Sequence, residues 1–230
     1  MPEPADRPRF YGRRRGKRLR PTPRGLIEAL LPRLAIPVPA APARLDPATL
    51  FAFVPKAVWL EVGFGGGEHL AWQALNNPEV GLIGCEVFEN GVASLMGHVQ
   101  KEAIANIRVF ADDVRLLWPA LPKPCLARVF VLFPDPWPKS RHVDRRFVHD
   151  DNLDILAELM EDNAELRIAT DDPTYKAWAT KTMAARRDFI DTTDDPAKKP
   201  EDWPPTRYEA KARREGREPV FLCFRRKPRD

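Results

Sequence analysis

The sequence predicts an α/β fold built on a doubly wound, mostly parallel sheet with helices on both faces. Three observations predict it. Short apolar runs alternate with stretches of helical periodicity along most of the 230 residues. The runs are apolar on successive residues, as in strands covered on both faces. Glycines and acidic residues gather directly behind the runs, where open α/β sheets bind their ligands.

The elements follow in order. Residues 1–24 read as a flexible basic arm. "GLIEALLPRLAI" (25–36) is a short helix stopped by prolines, and 37–55 is a Pro/Ala-rich linker. "AVWLEVGFGGG" (57–67) is a buried strand ending in a glycine loop, and "EHLAWQALNN" (68–77) a helix with Leu70, Ala71, Ala74 and Leu75 on one face. "GLIGCEV" (81–87) is a strand, "ENGVASLMGHVQKEAI" (89–104) a helix and "NIRVFADD" (106–113) a strand. "ARVFVLFPD" (127–135) is the fourth strand, followed by a helix over 146–160, a strand over 164–172 and a helix over 173–187 that opens on Pro173. An acidic, Pro-rich loop (191–205), a polar basic segment (206–216) and a last strand (217–226) complete the chain. The expected organisation is an arm (1–24), a helix with linker (25–55) and one α/β domain (56–230).

Composition narrows the class. At 43% hydrophobic the chain can bury a core, and no apolar run approaches the ~20 residues of a membrane span. Its N-terminal stretch lacks the apolar centre of a secretory signal. Cys85, Cys125 and Cys223 are scattered and odd in number, which fits a reducing compartment without a disulfide framework. The expectation is a cytoplasmic protein with no membrane association and no metal, since His69, His98, His142 and His149 show no metal-ligand spacing. Net charge is +4, but it is unevenly spread: residues 1–24 carry nine Lys/Arg against two acids and 206–230 nine against four, leaving an acidic middle. Basic ends suit a polyanion such as nucleic acid, or serve as solvated tails.

The strand ends carry the chemistry. Gly63, Gly65 and Gly67 follow the first strand and open a helix, where glycine permits a sharp turn and close approach of a ligand. Glu68 stands where the dinucleotide fingerprint needs a small residue, and Glu61 is a carboxylate inside an apolar strand that requires a donor partner. Glu-x-Gly-x-Gly-x-Gly is the pattern of S-adenosylmethionine methyltransferases. Glu86, ending the second strand, suits the two hydroxyls of an adenosine ribose. Asp112 or Asp113 can accept from an adenine amino group, the other capping the next turn. After the fourth strand comes "FPDPWPKSRHVDRR", in which prolines hold Asp135 in place and Lys139, Arg141, Arg145 and Arg146 offer phosphate contacts. Trp137 either stacks on a base or covers the sheet end. In "ATDDPTY", Asp171 or Asp172 can read a purine edge, while Thr170, Asp171 and Asp172 are each candidates to cap the next helix.

Together "EVGFGGGEHL", "CEVFENGV", "FPDPWPKSRHVDRR", "ATDDPTY" and "TRYEAKARREG" resemble the ordered motifs of the bacterial tRNA (guanine-N7-)-methyltransferases, from about Phe10 to Arg226. The resemblance implies a Rossmann-like class I methyltransferase fold with a seven-stranded sheet, S-adenosyl-L-methionine (SAM) as cofactor and N7 of guanine 46 in the tRNA variable loop as target. It implies Glu61, Gly63, Gly65, Glu86, Asp112 and Asp135 at the cofactor, with Asp135 catalytic. It implies substrate contacts from Lys139, Asp171, Thr206, Arg207, Tyr208 and Glu209, and RNA contacts from Arg141, Arg145 and Arg146. Asp113 stands where a small residue is common, and Tyr208 replaces the usual Phe. A monomer is expected, with a homodimer left open.

Overall fold

The computed structural model describes residues 8–229. Part of the expected arm, residues 1–7, therefore lies outside the described residues. The chain divides into two compact units, one reaching to Cys125 and one starting at Leu126.

The first unit contains α1 (Pro21–Leu34), β1 (Ala57–Val62), α2 (Glu68–Asn76), β2 (Val80–Cys85), α3 (Glu89–Glu102) and β3 (Ile107–Phe110). Its strands lie in the order β3-β2-β1, all parallel, with Val62 beside Cys85 and Cys85 beside Phe110. Every residue of β2 is buried, as the unbroken apolar run requires. Leu60, Ile83, Leu95, Met96, Ile107 and Val109 form the centre of the core. The first helix begins at Pro21, four residues before the expected Gly25, because proline is well suited to the opening turn. It packs on α3 and β3, and the chain after it is tied to β3 by Ile36 N–H donating to Val109 O at 3.0 Å.

The second unit contains β4 (Leu126–Leu132), α4 (Asp150–Leu159), β5 (Met160–Thr170), α5 (Pro173–Ala185), β6 (Phe189–Asp191), α6 (Arg207–Arg214) and β7 (Val220–Arg226). Its strands run in the order β4-β5-β7-β6, with β4 and β5 parallel and β7 antiparallel to both neighbours. The fold is thus a seven-stranded mixed sheet with helices, of the Rossmann-like α/β class.

Three expectations are corrected here. Strand β6, three residues long, lies just before and at the start of a segment that reads as loop. Strand β5 starts at Met160, directly after α4, because its first turn-out is polar and exposed at Glu161–Asn163 and so hides the strand in the sequence. Segment 206–216 is largely helical: Thr206 and Glu209 form the S/T-x-x-E signature of a helix start, with Thr206 Oγ1 accepting from Glu209 N at 3.1 Å.

Candidate active site

In the first unit the turn after β1 carries Gly63, Gly65 and Gly67 at φ of 67°, 56° and 80°, conformations that L side chains rarely adopt. Glu86 ties this loop to α3. Its Oε2 accepts from Gly65 N at 2.7 Å and its Oε1 from Phe88 N at 2.8 Å. A residue the sequence reading missed closes this contact. A Cβ on Gly91, in the first turn of α3, would stand 2.2 Å from the carbonyl oxygen of Gly65. Helix and loop meet only because that Cβ is absent. Gly91→Ala is expected to displace the loop, cost about 1–3 kcal/mol of stability and weaken SAM binding by isothermal titration; unchanged binding would show that the loop does not hold the cofactor.

Glu61 is buried on β1, as expected, and its partner is His69, whose Nδ1 lies 2.7 Å from Glu61 Oε2. Glu61 Oε1 accepts from no other described residue. Behind β3 the two aspartates separate by job. Asp113 is buried and caps the turn Val114–Leu116 through Arg115 N at 3.0 Å, and the Arg115 guanidinium pairs with it at 2.6 Å. Asp112 is more exposed and accepts from Arg14 Nη1 at 2.8 Å. Arg14 belongs to the basic segment, which is held here: Glu89 N donates to Arg14 O at 2.9 Å, and the Asn90 side chain bonds Gly16 N and Lys17 O, each at 2.9 Å. Burial pushes the Cys85 thiol well up, and Asp113 and Glu86 add to it.

In the second unit β4 runs into the "FPDPWPKSRHVDRR" loop. Phe133 and Trp137, each two residues from Asp135, have φ of 51° and 41°. Such conformations in bulky residues persist only when the surroundings enforce them. Arg146 supplies the enforcement: its Nε donates to Pro136 O at 3.1 Å and its Nη2 to Trp137 O at 3.0 Å, while the guanidinium lies 4.9 Å from the Trp178 ring centre. Arg146 is only 4% exposed. The expectation of an RNA contact is corrected for this residue: burial and both hydrogen bonds make it a brace for the loop. Trp137 has the Arg145 guanidinium 5.0 Å from its ring centre and His142 edge-on at 5.7 Å, so the ring packs on its own loop. Asp135 and Lys139 are exposed, and neither side chain forms a hydrogen bond or ion pair with another described residue. Arg141 is also exposed.

After β5 the acidic residues again divide. Asp172 caps α5 by accepting from Tyr175 N at 2.8 Å. Asp171 is instead gripped by Arg217, whose Nε and Nη2 both lie 2.8 Å from its Oδ2. That pairing raises the Arg217 pKa, with burial opposing it and Glu215 adding to it. Asp171, Lys176, Arg217 and Glu218 line a cavity of about 260 Å³. Arg217 lay outside the sequence-derived set, since nothing in its spacing links it to Asp171. Thr206 caps α6, and Glu209 is buried against Lys199 and Arg213 at 3.2 Å each. Arg207 and Tyr208 face outward, and the Tyr208 ring stacks on Phe133 at 6.1 Å.

Among the described residues no three His, Cys, Asp or Glu are grouped to hold a metal, and no helix is long and apolar enough to cross a membrane.

A glycine turn after β1, a carboxylate closing β2, and an antiparallel β7 inserted between β5 and β6 define a class I methyltransferase rather than an all-parallel dinucleotide-binding sheet. Comparisons agree. The family model described as "Putative methyltransferase" matches residues 55–222. A tRNA (guanine-N(7)-)-methyltransferase of Paramagnetospirillum magneticum is 58% identical over 98% of this chain and 95% of its own, and that of Rhodospirillum rubrum 48% over 100% and 92%. A crystal structure of a 16S rRNA (adenine(1408)-N(1))-methyltransferase from Catenulisporales acidiphilia shares the fold, with a TM-score of 0.54 at 18% identity over 82% of this chain and 95% of its own. The chain belongs to the tRNA (guanine-N7-)-methyltransferase family.

Proposed function

We propose that this protein transfers a methyl group from SAM to N7 of guanine 46 in the variable loop of tRNA. The observation that carries the cofactor reading is the carboxylate set of the first unit, Glu61, Glu86 and Asp112, gathered behind a glycine turn. Glu61 and Glu86 disfavour a pyrophosphate, and with Asp112, paired to Arg14, the set suits a ligand with ribose hydroxyls, an amino group and positive charge. SAM, when bound, supplies a methyl group on a sulfonium. Glu86 takes the ribose hydroxyls, Asp112 the adenine amino group and Glu61 the methionine end.

Guanine N7 already carries a lone pair, so the nucleophile needs no deprotonation. The protein's task is alignment. Asp135 is held on a braced loop and Asp171 is held by Arg217. In this reading both accept from the guanine edge and orient the base, and their charge complements the cationic product. N7 is unreadable inside an A-form duplex but accessible in a loop. Lys139, Arg141, Arg145 and Arg207, with the cations of residues 9–20, carry phosphate contacts.

The names of the relatives support the tRNA guanine-N7 reaction, and the resemblance of the motifs supports position 46. Incubation with SAM and a tRNA transcript, followed by nucleoside inventory, is expected to yield N7-methylguanosine. The same transcript with adenine at position 46 is expected to yield none. Methylation of a different guanine would remove the assignment of position 46; another methylated nucleoside would remove the reaction itself.

A further inference from the structure

Polar residues along one face of α2, from its C-cap Asn77 back to the buried Gln73 and His69, form a chain whose direction can be read. Asn77 Nδ2 lies 2.8 Å from the backbone carbonyl of Gln73, which can only accept, and 3.2 Å from Gln73 Oε1. That orients the Gln73 amide so that its nitrogen, 3.2 Å from His69 Nε2, donates to the ring. His69 Nε2 is then an acceptor, and the ring proton sits on Nδ1, 2.7 Å from Glu61 Oε2. Asn77, Gln73 and His69 repeat every four residues, the spacing of one helix face. His69, Gln73 and Glu61 are at most 3% exposed.

The consequence is electrostatic. A buried carboxylate without a donor is costly, and a cationic partner would cancel its charge. A neutral histidine in the Nδ1–H form instead supplies a donor and leaves one net negative charge on the pair. Its grip on Oε2 leaves Oε1, which no other described residue engages, as the oxygen presented to a ligand. We infer that His69, locked in this tautomer by Gln73 and Asn77, is a positioning residue that aims Glu61 at the cationic methionine end of SAM. The inference rests on the proposed placement of Glu61 at the cofactor.

Calorimetric titration of SAM into full-length variants, with nitrogen NMR of the histidine rings in the free enzyme, tests it. Glu61→Gln and His69→Leu are each expected to weaken SAM binding by about tenfold, the scale typical of partners that orient a ligating side chain. His69→Asn, whose amide N–H takes the place of Nδ1–H, is expected to recover binding to within about threefold of the native protein. The double variant is expected to bind no worse than Glu61→Gln alone, since both remove one interaction. If His69→Leu binds SAM normally while Glu61→Gln does not, His69 has no positioning role and the placement of Glu61 stands. If Glu61→Gln binds normally, the placement itself fails and His69 has nothing to aim. Additive losses in the double variant overturn the inference as well. Should His69→Leu not fold, the NMR measurement decides: an Nδ1–H ring supports the lock, and an Nε2–H or doubly protonated ring overturns it.

Discussion

Asp135→Ala is expected to lower kcat by about 10²–10³-fold at saturating SAM, with little change in thermal stability. The two halves of that expectation have separate grounds. Asp135 is exposed and its side chain engages no other described residue, so its removal breaks nothing that holds the fold. Exposed substitutions of this kind stay within about 0.5 kcal/mol. Yet the backbone around it is anything but relaxed. Phe133 and Trp137 both adopt positive φ, at a cost of order 1–3 kcal/mol each. Strain of this kind gathers at functional positions, which is the ground for expecting a role for the carboxylate between them. Asp135→Asn separates the two roles a carboxylate can have. If Asp135 orients the guanine edge by hydrogen bonding, the amide keeps one acceptor and the rate falls by no more than about tenfold. If its charge is what matters, Asn and Ala fall together, and the positioning role is lost. Unchanged turnover in Asp135→Ala would remove Asp135 from the site altogether.

Why was the strand-end chemistry legible in the sequence? A parallel sheet carries its loops at the strand ends, so reading the apolar runs put Glu61 on a strand and Glu86, Asp112, Asp135 and Asp171 just behind strands, where the structure has them. What stayed hidden follows a rule too. Strand β6 is three residues long and the opening of β5 is polar, so neither carries a hydrophobic period to detect. His69, Gly91 and Arg217 act through contacts across the fold: to Glu61 on β1, to Gly65 O and to Asp171. Local spacing does not encode such pairs, with one exception. A buried acid in a strand demands a donor, and His69, on the first turn of the next helix, stood within reach. The competition between capping and binding at each Asp-Asp pair needed coordinates, because both side chains in a pair have the same chemistry. At Asp113 and Asp172 the cap goes to the second aspartate, which leaves the first for another partner.

Charge alone misassigned one residue, and the correction yields the second large effect. Arg141, Arg145 and Arg146 look alike in sequence, yet Arg146 is buried and donates to two carbonyls of the loop that carries Asp135. Hydrogen bonds from a charged donor are each worth about 1.5–3 kcal/mol. Removing this donor also leaves the strained conformation at Trp137 without its brace. Arg146→Ala is therefore expected to cost about 2–4 kcal/mol of stability, from lost hydrogen bonds and packing on Trp178. For a chain of this length that is roughly a 5–15 °C fall in Tm. Its kcat is expected to fall about 10²-fold, because the loop no longer fixes Asp135. Its affinity for tRNA is expected to remain within about twofold of the native protein, since a buried guanidinium cannot meet a phosphate. Arg146→Lys should rescue little, because an ammonium cannot span both carbonyls as the planar fork does. Arg141→Ala is the counterpart: exposed, it is expected to weaken tRNA binding and flatten its salt dependence while leaving Tm unchanged. Scanning calorimetry, single-turnover rates and filter binding on the two variants decide the matter. If Arg146→Ala keeps its Tm and its rate but loses tRNA, the residue reaches the RNA and the bracing role is wrong.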